Sequence, residues 1–146
     1  MNRQIRVMVF GTFDVVHDGH LDFFNQAKAL AENVYLIISI ARDDNVARIK
    51  KRLPMYDELA RQQALVDLGV ADEVVLGSKN DYLAHLKAYQ PNIIALGYDQ
   101  FAYTETLEAD LVKARITAKI VRLKPYFPEK FKSSIVKAQL NKNSKL

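Results

Sequence analysis

"VMVFGTFDVVHDGHLDFF", residues 7–24, runs from a continuous apolar stretch through a glycine turn into a segment with helical spacing. The run from Val7 to Phe10 suits a strand covered on both faces. Leu21, Phe24, Ala27 and Ala31 then recur at intervals that place them on one side of a helix. A strand, a turn at Gly11 and a helix opening near Gly19 make the first part of a β-α-β unit.

The same alternation continues along the chain. Strand-like runs rich in Val and Ile lie at 5–10, 34–41, 72–77, 92–97 and 118–123. Between them, Leu59, Gln63, Val66 and Val70 keep a loose helical period, as do Tyr82, Leu86 and Tyr89. Residues 103–116 form a further amphipathic segment with Leu107, Leu111 and Ala114 on one side, and a short helix is expected to start at Ser133 or Ser134. Strands alternating with helices predict an α/β fold, Rossmann-like and doubly wound: a mainly parallel five-stranded sheet with helices on both faces. No repeat or linker divides residues 1–146, so one domain is expected, with a disordered tail over about 141–146. In such sheets ligands bind beyond the carboxyl ends of the strands.

The composition, 49% hydrophobic and 26% charged, is that of an ordinary globular chain. No apolar run approaches the roughly 18 residues needed to cross a bilayer, so no membrane partner is expected. The absence of cysteine excludes disulfides, zinc-thiolate sites and cysteine nucleophiles. Together with an N-terminus lacking a secretory cleavage pattern, it makes the cytoplasm the expected location. A net charge of +4 suits a polyanionic partner, but a solubilising lysine tail explains it equally well. That tail lacks interleaved aromatics, and no nucleic-acid-binding motif is present, so nucleic acid is not an expected partner.

The chemistry centres on His17-Asp18-Gly19-His20. Gly11 allows close backbone approach to a ligand, and the N–H groups of a helix starting near Gly19 form an anion site. His17 and His20 there can donate hydrogen bonds to phosphate oxygens. Other readings remain: a zinc pair, a histidine nucleophile, or two ordinary turn histidines. A zinc pair lacks partners, since His85 is the only other histidine. There is neither a GxGxxG nor a Walker loop.

"GTFDVVHDGH" (11–20) resembles the GxFDxxHxGH signature of the cytidylyltransferase-like nucleotidyltransferases. "ARDDNV", "PNIIALGYDQ" and "FKSSIV" are similar to elements of the small archaeal-type FAD synthases and, at slightly greater distance, of the glycerol-3-phosphate cytidylyltransferases. The resemblance implies transfer of a nucleoside monophosphate from a triphosphate to a phosphate-bearing acceptor, with release of pyrophosphate. His17 and His20 would be the catalytic residues, with Gly11, Thr12, Phe13 and Gly19 completing the nucleotide grip. Gly97 and Asp99 would meet the ribose or base, Ser133 and Ser134 the triphosphate, and Tyr126 the nucleotide. In "RIKKR" (48–52), placed in a loop after the second strand, Lys50 or Lys51 would close over the outer phosphates unless the run is simply solvated. Arg61, eleven residues before Asp72, is placed either on the phosphates or on the surface of its helix.

No resident metal is implied; Mg²⁺ would arrive on the nucleotide. "ARD" and "GYDQ" favour ATP and FMN as substrates, and the Arg-Thr pair of the CTP-dependent enzymes is absent. CTP with glycerol 3-phosphate is the alternative, and a non-catalytic nucleotide-binding module a further one. Phe101, Tyr103, Tyr126 and Phe127 are candidate flavin contacts or plain packing aromatics. The oligomeric state is not written in the sequence, although the resemblance allows a homodimer.

Overall fold

All five expected strands form, each within a residue or two of its expected limits. The computed structural model describes residues 3–100 and 106–126. Along the chain these give β1 (Ile5–Gly11), α1 (Asp18–Lys28), β2 (Val34–Ile40), α2 (Asp43–Lys50), α3 (Glu58–Leu68), β3 (Glu73–Leu76), α4 (Tyr82–Tyr89), β4 (Ile93–Leu96), α5 (Leu107–Lys113) and β5 (Lys119–Arg122). The sheet has the order β3-β2-β1-β4-β5 and every pairing is parallel. β1 runs beside β2 from Ile5 opposite Val34 to Gly11 opposite Ile40. On its other side it pairs with β4 through Val7–Ile93 and Met8–Ile94. Strand order therefore reverses between β1 and β4, the crevice where this topology places a ligand.

Alternation along each strand builds two cores. Val7, Val9, Leu36, Ile38 and Ile40 pack with Phe24 and Ala27 of α1 and Leu65 of α3. Met8, Ile37, Ile94 and Leu96 pack on the opposite face with Leu86 of α4 and with Leu107 and Leu111 of α5. Burial on both faces explains why these strands read as unbroken apolar runs.

Two helical expectations are corrected. The segment placed in a loop after the second strand is helical up to Lys50, and only Lys51 and Arg52 turn away from it. Asp43 and Asp44 in its first turn and Arg48 and Lys50 in its last complement the helix dipole, while Val46 is its one buried residue. In α3 the inward face is Arg61 and Leu65, whereas Leu59 and Val66 are exposed. A charged residue takes the inner position because its partners lie across the fold, as described below. The short helix expected at Ser133 or Ser134, and the tail at 141–146, lie outside the described residues.

Candidate active site

β1 delivers Gly11, Thr12 and Phe13 to the mouth of the β1–β4 crevice, where a cavity of about 440 Å³ opens. Phe13 has a left-handed backbone (φ 50°), an uncommon state for a bulky residue, held only when its surroundings over-determine it. They do so here. The Phe13 ring lies edge-on to His20 at 5.4 Å and against Phe24 at 5.1 Å. It also fills the space a Cβ on Gly11 would occupy, its nearest atom only 2.6 Å from that point. Glycine at 11 is therefore demanded by the ring at 13.

The two histidines are fixed by the start of α1. His17 is the N-cap; its Nδ1 accepts from the Gly19 N–H at 3.1 Å. The His17 N–H donates to His20 Nδ1 at 3.2 Å. The rings stack with centroids 3.9 Å apart. Because each Nδ1 acts as an acceptor, each neutral ring carries its proton on Nε2. Burial, with the nearby charges of His17 and Lys50, pushes the His20 pKa down to about 4. Burial also lowers His17, partly opposed by Asp18. At neutral pH both rings are thus neutral, with their protons on Nε2, at the start of the helix.

Gly97 and Asp99 line the opposite wall. This loop is built around Gln100, whose Oε1 accepts from Gly97 N at 2.7 Å while its Nε2 donates to Phe10 O at 2.6 Å. One side chain thereby ties the end of β1 to the end of β4. Arg122 of β5 closes the loop from outside, donating to the carbonyls of Gly97 and Gln100.

Arg61 behaves differently from both sequence alternatives. It is 1% exposed and does not border the cavity. Nη2 pairs with Asp43 at 2.7 Å, Nη1 donates to Thr12 O at 2.8 Å and Nε to Tyr56 O at 3.0 Å. The guanidinium lies beneath the glycine turn rather than on a phosphate and holds the carbonyl that precedes Phe13. Around it, the first residues of α2 and α3 cap each other: Asp43 N donates to Glu58, and Glu58 N to Asp43. Arg42 joins Glu58 to the carbonyl of Gly77. Asp14 accepts from the amides of Met55 and Tyr56, tethering the α2–α3 connection to the turn.

Of the expected site residues, Gly11, Thr12, Phe13, His17, Gly19, His20, Gly97, Asp99 and Tyr126 border one cavity. Lys51 does not; as the left-handed C-cap of α2 it is exposed, and the cavity wall is formed instead by Lys50 and Arg52. Ser133, Ser134, Phe101, Tyr103 and Phe127 lie outside the described residues. Asp14, Arg52 and Gln100 were not singled out. Gln100 ends the "GYDQ" stretch, but its tie to Phe10 spans 90 positions and leaves no local signal. Among the described residues no group of three or more His, Cys, Asp or Glu side chains is arranged to hold a metal.

Comparison with known proteins gives the family. Residues 8–139 match the cytidylyltransferase-like family model. The FAD synthase of Korarchaeum cryptofilum is 43% identical over 90% of this chain and 89% of its own. That of Thermoplasma volcanium is 35% identical over 93% and 94%. A crystal structure from Thermoplasma volcanium, described as a lipopolysaccharide core biosynthesis protein, superposes with a TM-score of 0.76 at 37% identity, covering 84% of this chain and 98% of that one. Pantoate-beta-alanine ligase from Francisella tularensis, at 14% identity and a TM-score of 0.56, shares the fold. The chain belongs to the cytidylyltransferase-like family, alongside the archaeal FAD synthases.

Proposed function

We propose that the protein is an FMN adenylyltransferase, joining ATP and FMN to give FAD and pyrophosphate. The observation that carries this reading is the near full-length match to FAD synthases from several archaea, on a chain whose paired histidines border a cavity that also takes in Lys50 and Arg52.

The reaction needs no nucleophilic side chain. A phosphate oxygen of FMN attacks the α-phosphorus of ATP, a new P–O–P bond forms, and the bond to the bridging oxygen breaks with its electrons leaving on pyrophosphate. The protein aligns the two phosphates and neutralises developing charge. The Nε2–H groups of His17 and His20 would donate to the α- and β-phosphate oxygens, and donors fixed before reaction strengthen as charge builds. Lys50 and Arg52 on the cavity wall would draw in the outer phosphates, while Gly97 and Asp99 would meet the nucleoside. The nucleotide enters as its Mg²⁺ complex, the ion belonging to the substrate. No helix among the described residues is long and apolar enough to cross a membrane, and we place the enzyme in the cytoplasm.

Pyrophosphate release with Mg²⁺, crossing ATP and CTP with FMN and glycerol 3-phosphate, tests the assignment. Turnover with ATP and FMN alone is expected. Turnover only with CTP would reassign the enzyme as a cytidylyltransferase, and silence in all four would make it a binding module.

A further inference from the structure

Two cavities open at this end of the sheet. The second, of about 420 Å³, lies on the face covered by α4 and α5. Phe10, Gly11 and Gln100 border both and form the partition between them. Lys124 and Tyr126, which follow β5, border the first alone. Strand order puts them on the far side of β1 from Lys50 and Arg52, which follow β2. The cavity beside the histidines is thus flanked by cations from two directions. β5 is an edge strand and ends at Arg122. Leu123 N still donates to Leu96 O at 2.7 Å, but at Lys124 the backbone turns to a side chain instead.

That side chain is Gln26. Its Oε1 accepts from Lys124 N at 3.0 Å, and its Nε2 donates to Lys124 O at 2.8 Å. A carboxamide carries both the donor and the acceptor of a peptide group, so this one serves Lys124 as a neighbouring strand would. Nε2 also donates to Asp22 Oδ2 at 2.7 Å, which fixes the orientation of the amide. Beneath the clamp, Leu123 packs in the same core as Phe24 and Ala27 of α1. Gln26 itself borders neither cavity. It lies in the third turn of the helix whose N-cap is His17 and whose first turn holds His20. One helix therefore carries the histidine pair at its start and grips a second stretch of cavity wall near its end.

We propose that Gln26 is a positioning residue of the nucleotide site: it sets the 124–126 segment relative to the histidine pair and so holds Lys124 against the triphosphate. The inference rests on the adenylyl-transfer reading above, of which it needs only the nucleotide half. Without the clamp, the N–H and C=O of Lys124 turn to water. A lysine on a loose segment must then lose backbone and rotamer freedom when it meets a phosphate, and that ordering weakens binding. The histidines keep their hydrogen bonds, which lie within residues 17–20, so the chemical step keeps its donors. The signature of the clamp is therefore a change in KM for ATP with kcat nearly unchanged.

Gln26→Met keeps the reach of the side chain and removes both bonds to Lys124. Its KM for ATP, and its Kd for MgATP by calorimetry, should rise about five- to tenfold. Its kcat should stay within about twofold, its KM for FMN unchanged and its Tm within about 5 °C. Lys124→Ala should raise the KM for ATP by a similar factor. The double variant should be no weaker than the weaker single, because the clamp acts through that lysine. Gln26→Glu keeps the acceptor for Lys124 N and loses the donor to its carbonyl; it should also raise the KM for ATP, and it decides the case if Gln26→Met melts early. An unchanged KM for ATP in the Gln26 variants or in Lys124→Ala, or effects that multiply in the double variant, overturns the proposal. So does a fall in kcat with KM kept, or a rise confined to FMN. A wild type that binds MgATP but forms no FAD overturns the functional reading, and the Kd values then decide the clamp; one that binds no ATP overturns both.

Discussion

Two basic corners meet at the glycine turn, and they do opposite work. Above it, His17 and His20 are partly buried, uncharged, and carry their protons on Nε2 at the cavity wall. Below it, Arg61 is fully charged, 1% exposed, and engaged with Asp43 and two carbonyls. Formal charge near a phosphate site is therefore a poor guide to what touches phosphate. The destination of each N–H decides, and by that measure the permanent cation positions the turn while the neutral rings border the cavity.

The largest effect should come from unpairing the lower corner. Asp43→Ala leaves a buried guanidinium uncompensated and should cost about 3–5 kcal/mol of stability in urea unfolding. Adding Arg61→Met should recover much of that loss; a double variant no more stable than Asp43→Ala would show that the pair is not the coupled unit described. Next, His17→Ala or His20→Ala should slow turnover by about 10²–10³, while the lost cap and ring contacts cost only about 0.5–2 kcal/mol of stability. Near-normal rates in both would remove the histidines from the chemistry.

A pH titration of stability sharpens the same contrast. Both folded-state histidine pKa values lie below the ordinary 6.5, so the unfolded chain takes up protons first. The stability due to neutral histidines is complete above about pH 6.5 and falls as the pH drops toward 4. For His20 the loss is about 3 kcal/mol, at about 1.4 kcal/mol per pKa unit. His20→Ala should flatten that slope; an unchanged slope would assign it to other groups. The smallest effect belongs to Lys51, exposed and off the cavity: Lys51→Ala should shift stability by less than about 0.5 kcal/mol and leave the KM for ATP unchanged. Lys50→Ala should raise that KM, and equal behaviour of the two lysines would contradict the wall assignment.

How much was legible in the sequence follows from which interactions are local. Strands sandwiched between helices must be apolar on both faces, so each of the five announced itself as a run. The grip of Gly11 to His20 is also local, since the N-cap, its partner amide and the adjacent ring all fall within four residues. α2 was missed because eight residues with one buried position, Val46, have no hydrophobic period to read. The face of α3 was misread because Leu59 and Val66 keep a helical spacing on the outside, while Arg61 is drawn inward by Asp43, Thr12 and Tyr56. The second cavity left no motif, as its walls come from β1, β2, α2, α4, β4, α5 and the connections between them.

The central place of β1 also sets an order of assembly. Its partners are residues 34–40 on one side and 93–94 on the other, so β1 is made before both of them and has both edges paired only once β4 has followed. Until then β3-β2-β1 can form with one edge of β1 open, a row of unpaired amides on a strongly apolar strand, which is the kind of edge that recruits other chains. The tie from Gln100 to Phe10 is made at that same closing step, so the partition between the two cavities and the end of this aggregation-prone interval arrive together.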